Sequence, residues 1–128
     1  MSQTILYVED NPHNLRLVRK MLSIGNYEVF EATTGQMGLE LAQSLNPDLI
    51  LMDINLPDID GLEVTARLRQ LPAFAHTPIV ALTANAMHGD RERITSSGCD
   101  GYLAKPVSRN ELNNVVSRFL AEASTQSA

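Results

Sequence analysis

Leu49-Ile50-Leu51-Met52-Asp53 is the stretch that decides the fold: four apolar residues with no polar one among them, closed by a carboxylate. A strand with one face in water alternates polar with apolar residues. An unbroken short run belongs instead to a strand covered on both faces, as in a parallel sheet. Working outward, Ile5-Leu6-Tyr7-Val8 is stopped by Glu9-Asp10, and Ile79-Val80-Ala81-Leu82 by Thr83. Two weaker runs complete the set. Glu28-Val29-Phe30-Glu31-Ala32 alternates like an edge strand, and Tyr102-Leu103-Ala104 leads into Lys105.

Helical patterns lie between these runs. Asn11-Pro12 reads as a cap followed by proline at the first helical position, and Leu15, Val18, Met21 and Leu22 then recur at helical spacing. Asp60 with Glu63 and Ser108 with Glu111 match capping boxes. Leu112, Val115, Val116, Phe119 and Leu120 form one apolar stripe on the last helix. Gly25 and Gly98 stand where helices stop. Ala86 to Ser97, rich in Gly, Ser, Thr and charge, is the weakest helical segment, and Glu122 to Ala128 reads as a frayed polar tail. Strand and helix thus alternate five times. The predicted fold is α/β, a flavodoxin-like doubly wound five-stranded parallel sheet of order 2-1-3-4-5 with helices on both faces. One domain is expected over 1–121, with a short tail over 122–128.

Composition narrows the class. The chain has 128 residues, 44% hydrophobic and 20% charged, enough to bury a core. Ten Lys and Arg against fifteen Asp and Glu leave a net charge of −5, the wrong sign for a protein held to nucleic acid by phosphate contacts. No apolar run approaches the ~20 residues that span a bilayer, and Met-Ser-Gln-Thr-Ile lacks the features of a signal peptide. Cys99 is alone, which suits a reducing cytoplasm and a small inert thiol.

In a doubly wound sheet, ligands bind beyond the carboxyl ends of the strands where strand order reverses. Glu9 and Asp10 follow strand 1, Asp53 ends strand 3, Thr83 ends strand 4 and Lys105 ends strand 5, so five polar residues distant in sequence should converge on one edge. Three carboxylates there repel one another by about 3 kcal/mol per pair at ~5 Å and an effective dielectric of ~20. One ammonium cannot balance them, so the pocket calls for a hard divalent cation, Mg²⁺ fitting carboxylate, carbonyl and water oxygens. An aspartate beside Mg²⁺, a lysine and a hydroxyl is equipped to attack phosphorus and become an acyl phosphate.

Glu9-Asp10, Asp53 within Met52-Asp53-Ile54-Asn55-Leu56-Pro57, Asp60-Gly61, Thr83-Ala84 and Lys105-Pro106, in order and each at a strand end or in the loop after it, resemble the response-regulator receiver domain of two-component signalling over about residues 4 to 120. The resemblance implies that Asp53 takes a phosphoryl group from a phosphohistidine on a histidine kinase or histidine phosphotransfer protein. It implies that Asp10, Asp53 and the Asn55 carbonyl bind Mg²⁺, with Glu9, where the family more often has Asp, ligating directly or through water. It implies phosphoryl contacts from Thr83 and Lys105, room for the phosphoryl group beside the small Ala84, a switch aromatic at Tyr102 coupled to Thr83, and a cis Lys105–Pro106 peptide. Asn55 and Asn85 fall at the two variable positions that tune acyl-phosphate lifetime in the family. The family's usual output surface corresponds to Ala86–Ser97, Tyr102–Ala104 and Ser108–Leu120, expected to engage a downstream protein effector.

Alternatives remain at the level of single residues. Asp53 alone would be a turn residue, Thr83 a cap and Lys105 a solvated charge. Asp58 and Asp60 read as loop and cap residues, His13, His76 and His88 as surface residues, and Arg16, Arg19 and Lys20 as one solvated helix face that could also steer an acidic partner. A haloacid-dehalogenase-like phosphohydrolase also attacks with Asp beside Mg²⁺, but wants its nucleophile after the first strand and a second Asp two residues on, where Asn55 stands here. A flavin module would need a Ser/Thr/Gly phosphate cradle after strand 1. Met1 favours a complete single-domain regulator, monomer or weak dimer, over a receiver cut from a hybrid sensor kinase.

Overall fold

In the computed structural model, residues 3–84 and 91–126 are described, with side chains to Ala121. The elements alternate as β1 (Gln3–Val8), α1 (Pro12–Leu22), β2 (Tyr27–Ala32), α2 (Gly35–Leu45), β3 (Leu49–Asp53), α3 (Gly61–Arg69), a 3-10 turn (Pro72–Phe74), β4 (Ile79–Thr83), α4 (Arg91–Ser97), β5 (Gly101–Ala104) and α5 (Arg109–Gln126). The five strands are all parallel and ordered β2-β1-β3-β4-β5. The flavodoxin-like order expected from the sequence is therefore observed.

The unbroken apolar runs are explained by burial on both faces, since β3 and β4 are buried at every position. On one face Ile5, Tyr7, Leu49, Leu51, Val80 and Leu82 pack under Leu15, Val18 and Leu22 of α1 and Leu112, Val116 and Phe119 of α5. On the other, Leu6, Val8, Ile50, Met52 and Ile79 pack under Leu39 and Ala42 of α2 and Val64 and Leu68 of α3. Ile94 of α4 joins Ile54, Leu62 and Ala81 in a smaller cluster beside them. Strand β2 lies at the edge and alternates in exposure, as its sequence does.

Local signals act with some differences. Asn11 Oδ1 accepts from the backbone of His13 and Asn14, and Ser108 Oγ from that of Glu111, so both residues cap their helices, Ser108 making its own half of the expected capping box. Asp60 does cap α3, but its carboxylate accepts from Leu62 and the Glu63 side chain pairs with Arg67, so the reciprocal capping box is not made. Helix α5 runs to Gln126, five residues into the stretch expected to be a frayed tail. That stretch is Glu-Ala-Ser-Thr-Gln, with no proline or glycine to end the helix. The expected helix over Ala86–Ser97 is seen from Arg91 on; its first five residues, and with them the readings of Asn85 and His88, lie outside the described residues.

Candidate functional site

Strand ends place the polar residues. Glu9 follows β1, its N–H bonded to the Ala32 carbonyl at 2.9 Å. Asp53 is the last residue of β3 and 2% exposed, and Thr83 is the last of β4 and equally buried. Lys105 follows β5, its N–H bonded to the Thr83 carbonyl at 2.8 Å. Parallel strands put all their carboxyl ends on one edge, so these residues share it.

The Lys105 ammonium sits between two buried carboxylates, 3.0 Å from Asp53 Oδ1 and 3.2 Å from Glu9 Oε1. Asn55 N–H donates to the same Asp53 oxygen at 3.3 Å. Glu9 collects further donors: the Tyr7 hydroxyl at 3.0 Å and Asn14 Nδ2 at 3.4 Å on Oε1, and the Asn11 N–H at 3.2 Å on Oε2. Oxygens of Glu9, Asp10 and Asp53 lie within 4.8 Å of one another, with Asp10 on the solvent side. Among the described residues no buried side-chain nitrogen or oxygen lacks a partner.

The electrostatics follow. Burial pushes Asp53 up to about 6, Lys105 pulling against it and the neighbouring Glu9 carboxylate adding to it. Burial also works against the charge on Glu9, but its bonds to Asp53, Lys105, Asn11 and Tyr7 outweigh that and hold it below the ordinary range. Burial, and then the Glu9 and Asp53 carboxylates, drive the Tyr7 phenol far above its usual value, so it serves only as a donor. Lys105 is desolvated, yet Asp53 and Glu9 hold it charged and raise it.

Three carboxylates against one ammonium is a net negative pocket of hard oxygen donors, open to solvent at Asp10. This donor set fits a magnesium-sized hard cation and offers no soft or imidazole ligand.

The surrounding loops are tied to the site. Gly61, at the start of α3, presses so closely on β3 that a Cβ there would stand 2.0 Å from the Asp53 carbonyl oxygen. Asp58, expected to be a plain loop residue, reaches across to cap α2, its carboxylate accepting from the N–H groups of Gly35 at 2.7 Å and Gln36 at 3.0 Å. Asn55 and Ala84 are exposed at the rim. The Lys105–Pro106 peptide is cis. The Tyr102 ring is partly exposed, with the Arg91 guanidinium 5.7 Å from the ring centre. His13 and His76 are exposed, and burial pushes the Cys99 thiol above its ordinary value, which disfavours the thiolate. Arg19 of the basic α1 face pairs with Glu31. Sequence inspection missed Tyr7 and Asn14 as partners of Glu9. The spacing of Tyr7 and Glu9, two apart at the end of β1, was the available signal, because residues two apart in extended chain share a face.

A doubly wound parallel sheet with a carboxylate pocket and a lysine at its switch point defines a class, the acidic-pocket receivers. The chain belongs to the response regulator receiver domain family, whose model matches residues 5–117. It is 41% identical over 123 residues to the polar-differentiation response regulator DivK of Brucella ovis, covering 96% of this chain and all of that one. Among solved structures it resembles the receiver domain of a sensor histidine kinase from Pseudomonas aeruginosa, which has a magnesium ion coordinated in its active-site cleft (40% identity, TM-score 0.88, 94% of this chain and 99% of that one). It also resembles a putative response regulator from Chloroflexus aurantiacus (32% identity, TM-score 0.90, 94% and 99%). The chain is thus a receiver domain of two-component signalling. Among the described residues no helix is long and apolar enough to cross a membrane.

Proposed function

We propose that Asp53 is the phosphoacceptor. The observation that carries this reading is the Lys105 ammonium bridging Glu9 and Asp53 within a cluster of three carboxylates. An Asp53 oxygen attacks the phosphorus of a phosphohistidine, the P–N bond breaks, and its electron pair stays on the imidazole nitrogen, which takes a proton. Glu9, Asp10, Asp53 and the Asn55 carbonyl would hold Mg²⁺, which when bound neutralises charge on the phosphoryl oxygens. Lys105 stays beside Asp53 and meets a second phosphoryl oxygen. The Thr83 hydroxyl donates to a third, and the short Ala84 side chain leaves that position open. The chain promotes its own phosphorylation and, by admitting water to the acyl phosphate, its own dephosphorylation.

Phosphorylation then draws Thr83 inward and lets Tyr102 rotate, biasing the face formed by α4, β5 and α5. Of Arg91–Ser97 only Ile94 is buried, so this part of α4 contributes little to the core and is held mainly by polar surface contacts. A charge-assisted hydrogen bond supplies about 1.5–3 kcal/mol, while a full reversal of populations needs about 5.5. Binding of a protein effector supplies the remainder.

The phosphodonor is a histidine kinase or histidine phosphotransfer protein, and the setting is the cytoplasm, where a lone thiol suits the redox conditions. We take the receiver unit as 1–121, with 122–128 as a short tail. The 41% identity to the response regulator DivK favours a single-domain regulator, monomer or weak dimer, while the 40% identity to a sensor-kinase receiver supports the second reading, a domain of a hybrid kinase. Co-purification from cells, with the mass of the intact polypeptide, separates the two.

The test of the site is incubation with Mg²⁺ and a small acyl-phosphate donor, followed by intact mass. Wild type gains one phosphoryl group and Asp53→Ala gains none. A gain retained by Asp53→Ala moves the acceptor elsewhere.

A further inference from the structure

We propose that Tyr7 is a positioning residue of the acidic site: its buried hydroxyl holds Glu9 by Oε1, turning Oε2 toward the cation. The inference rests on the magnesium reading above and extends it to a residue of the sheet interior.

Tyr7 is 1% exposed and its ring packs in the apolar cluster under α1 and α5. A phenylalanine would fill that space without burying a hydroxyl, so the hydroxyl serves something other than packing. It points along the strand to Glu9, whose Oε1 it meets at 3.0 Å, in a contact the structure records as fully buried. Lys105 Nζ and Asn14 Nδ2 reach the same oxygen, at 3.2 and 3.4 Å, whereas Oε2 takes the Asn11 N–H at 3.2 Å. Oε1 is therefore committed to the protein. Oε2 is the oxygen left to face a metal ion or its water.

Glutamate needs such an anchor because its side chain has one more rotatable bond than aspartate. The arm must be held at both ends to present one oxygen in one direction. Lys105 alone cannot do so, because it is shared with Asp53 Oδ1 at 3.0 Å. Without the phenol, Glu9 draws Lys105 toward itself and away from Asp53. Tyr7 thus keeps both the carboxylate and the shared ammonium in place, acting through Glu9 and touching no phosphoryl group.

The experiment is Mg²⁺ titration followed by the backbone amide resonances of Asp53 and Asn55, in wild type, Tyr7→Phe, Glu9→Asp and the double variant. Removing a hydrogen-bonding partner of a metal ligand weakens metal binding by about 10- to 100-fold, and at least about tenfold is expected for Tyr7→Phe. Aspartate is too short to meet the phenol, so in the Glu9→Asp background the same substitution changes affinity by less than about twofold. Thermal unfolding without metal verifies that the variants are folded. Unchanged affinity in Tyr7→Phe, or an equal loss in both backgrounds, overturns the proposal while leaving the magnesium site standing. Wild type that binds no Mg²⁺ overturns the site itself, and this inference with it.

Discussion

Asp53 is held in a conflict between burial and charge. Its carboxyl titrates near 6, against an ordinary 3.8, because it is desolvated beside a second carboxylate. Between those two values the folded protein binds more protons than the unfolded chain, so stability falls as pH rises through the window. Glu9 acts oppositely: held low, it contributes stability that is lost only as pH drops below the ordinary glutamate range through its depressed folded value. Metal-free protein should therefore lose stability between about pH 4 and 6 on the way up. Asp53→Asn should remove that slope and gain on the order of 2 kcal/mol at pH 7. Urea unfolding of both proteins across this range, with chelator present, checks it. A wild type whose stability rises steadily from pH 4 to 6 contradicts the assignment.

At the scale of elements, one side chain stitches the end of the sheet opposite the site. Arg69, near the C-terminus of α3, donates to the carbonyls of Gly98 at 2.9 Å and Thr77 at 2.7 Å, to that of Phe74, and to Asp100 Oδ2 at 2.7 Å. The same Asp100 oxygen receives the Ile79 N–H that opens β4. Gly98 ends α4 at φ +105, and a Cβ there would stand 2.9 Å from Arg69 Cγ. Helix α4 is thereby pinned at its C-terminus, and Arg91 over Tyr102 and the Arg93–Asp60 ion pair join it to β5 and to the cap of α3. Arg69→Ala should cost about 2–4 kcal/mol, from several lost bonds and stranded carbonyls, read by chemical denaturation. A cost below about 0.5 kcal/mol would show the clamp to be incidental.

For the whole molecule, one sheet separates two apolar clusters, Leu51 in one and the adjacent Ile50 in the other. Neighbouring strand residues face opposite sides, so both clusters are built on the same backbone and should melt together. Leu51→Ala and Ile50→Ala should each lower stability by about 2–5 kcal/mol, with far-ultraviolet dichroism and tyrosine fluorescence transitions coinciding in each. Separate transitions for the two probes would show that the layers unfold independently. The functional edge depends on this unity, because Glu9, Asp53, Thr83 and Lys105 come from four strands and meet only when the sheet is whole.

Primary structure alone pointed to the architecture, because the short, unbroken, bounded runs around Leu6, Leu51 and Val80 suit strands buried on both faces and alternate with helical patterns. It also placed Glu9, Asp10, Asp53, Thr83 and Lys105 at one edge, since parallel strands share a carboxyl end. It carries no stop signal for α5, which continues to Gln126. Only the tertiary structure decided who partners whom. That Tyr7 and Asn14 hold Glu9, that Asp58 caps a different helix, and that Arg69 clamps four segments follow from distances across the fold. Periodicity reports which face a side chain takes; which atom it meets is set by the packing of elements far apart in the chain.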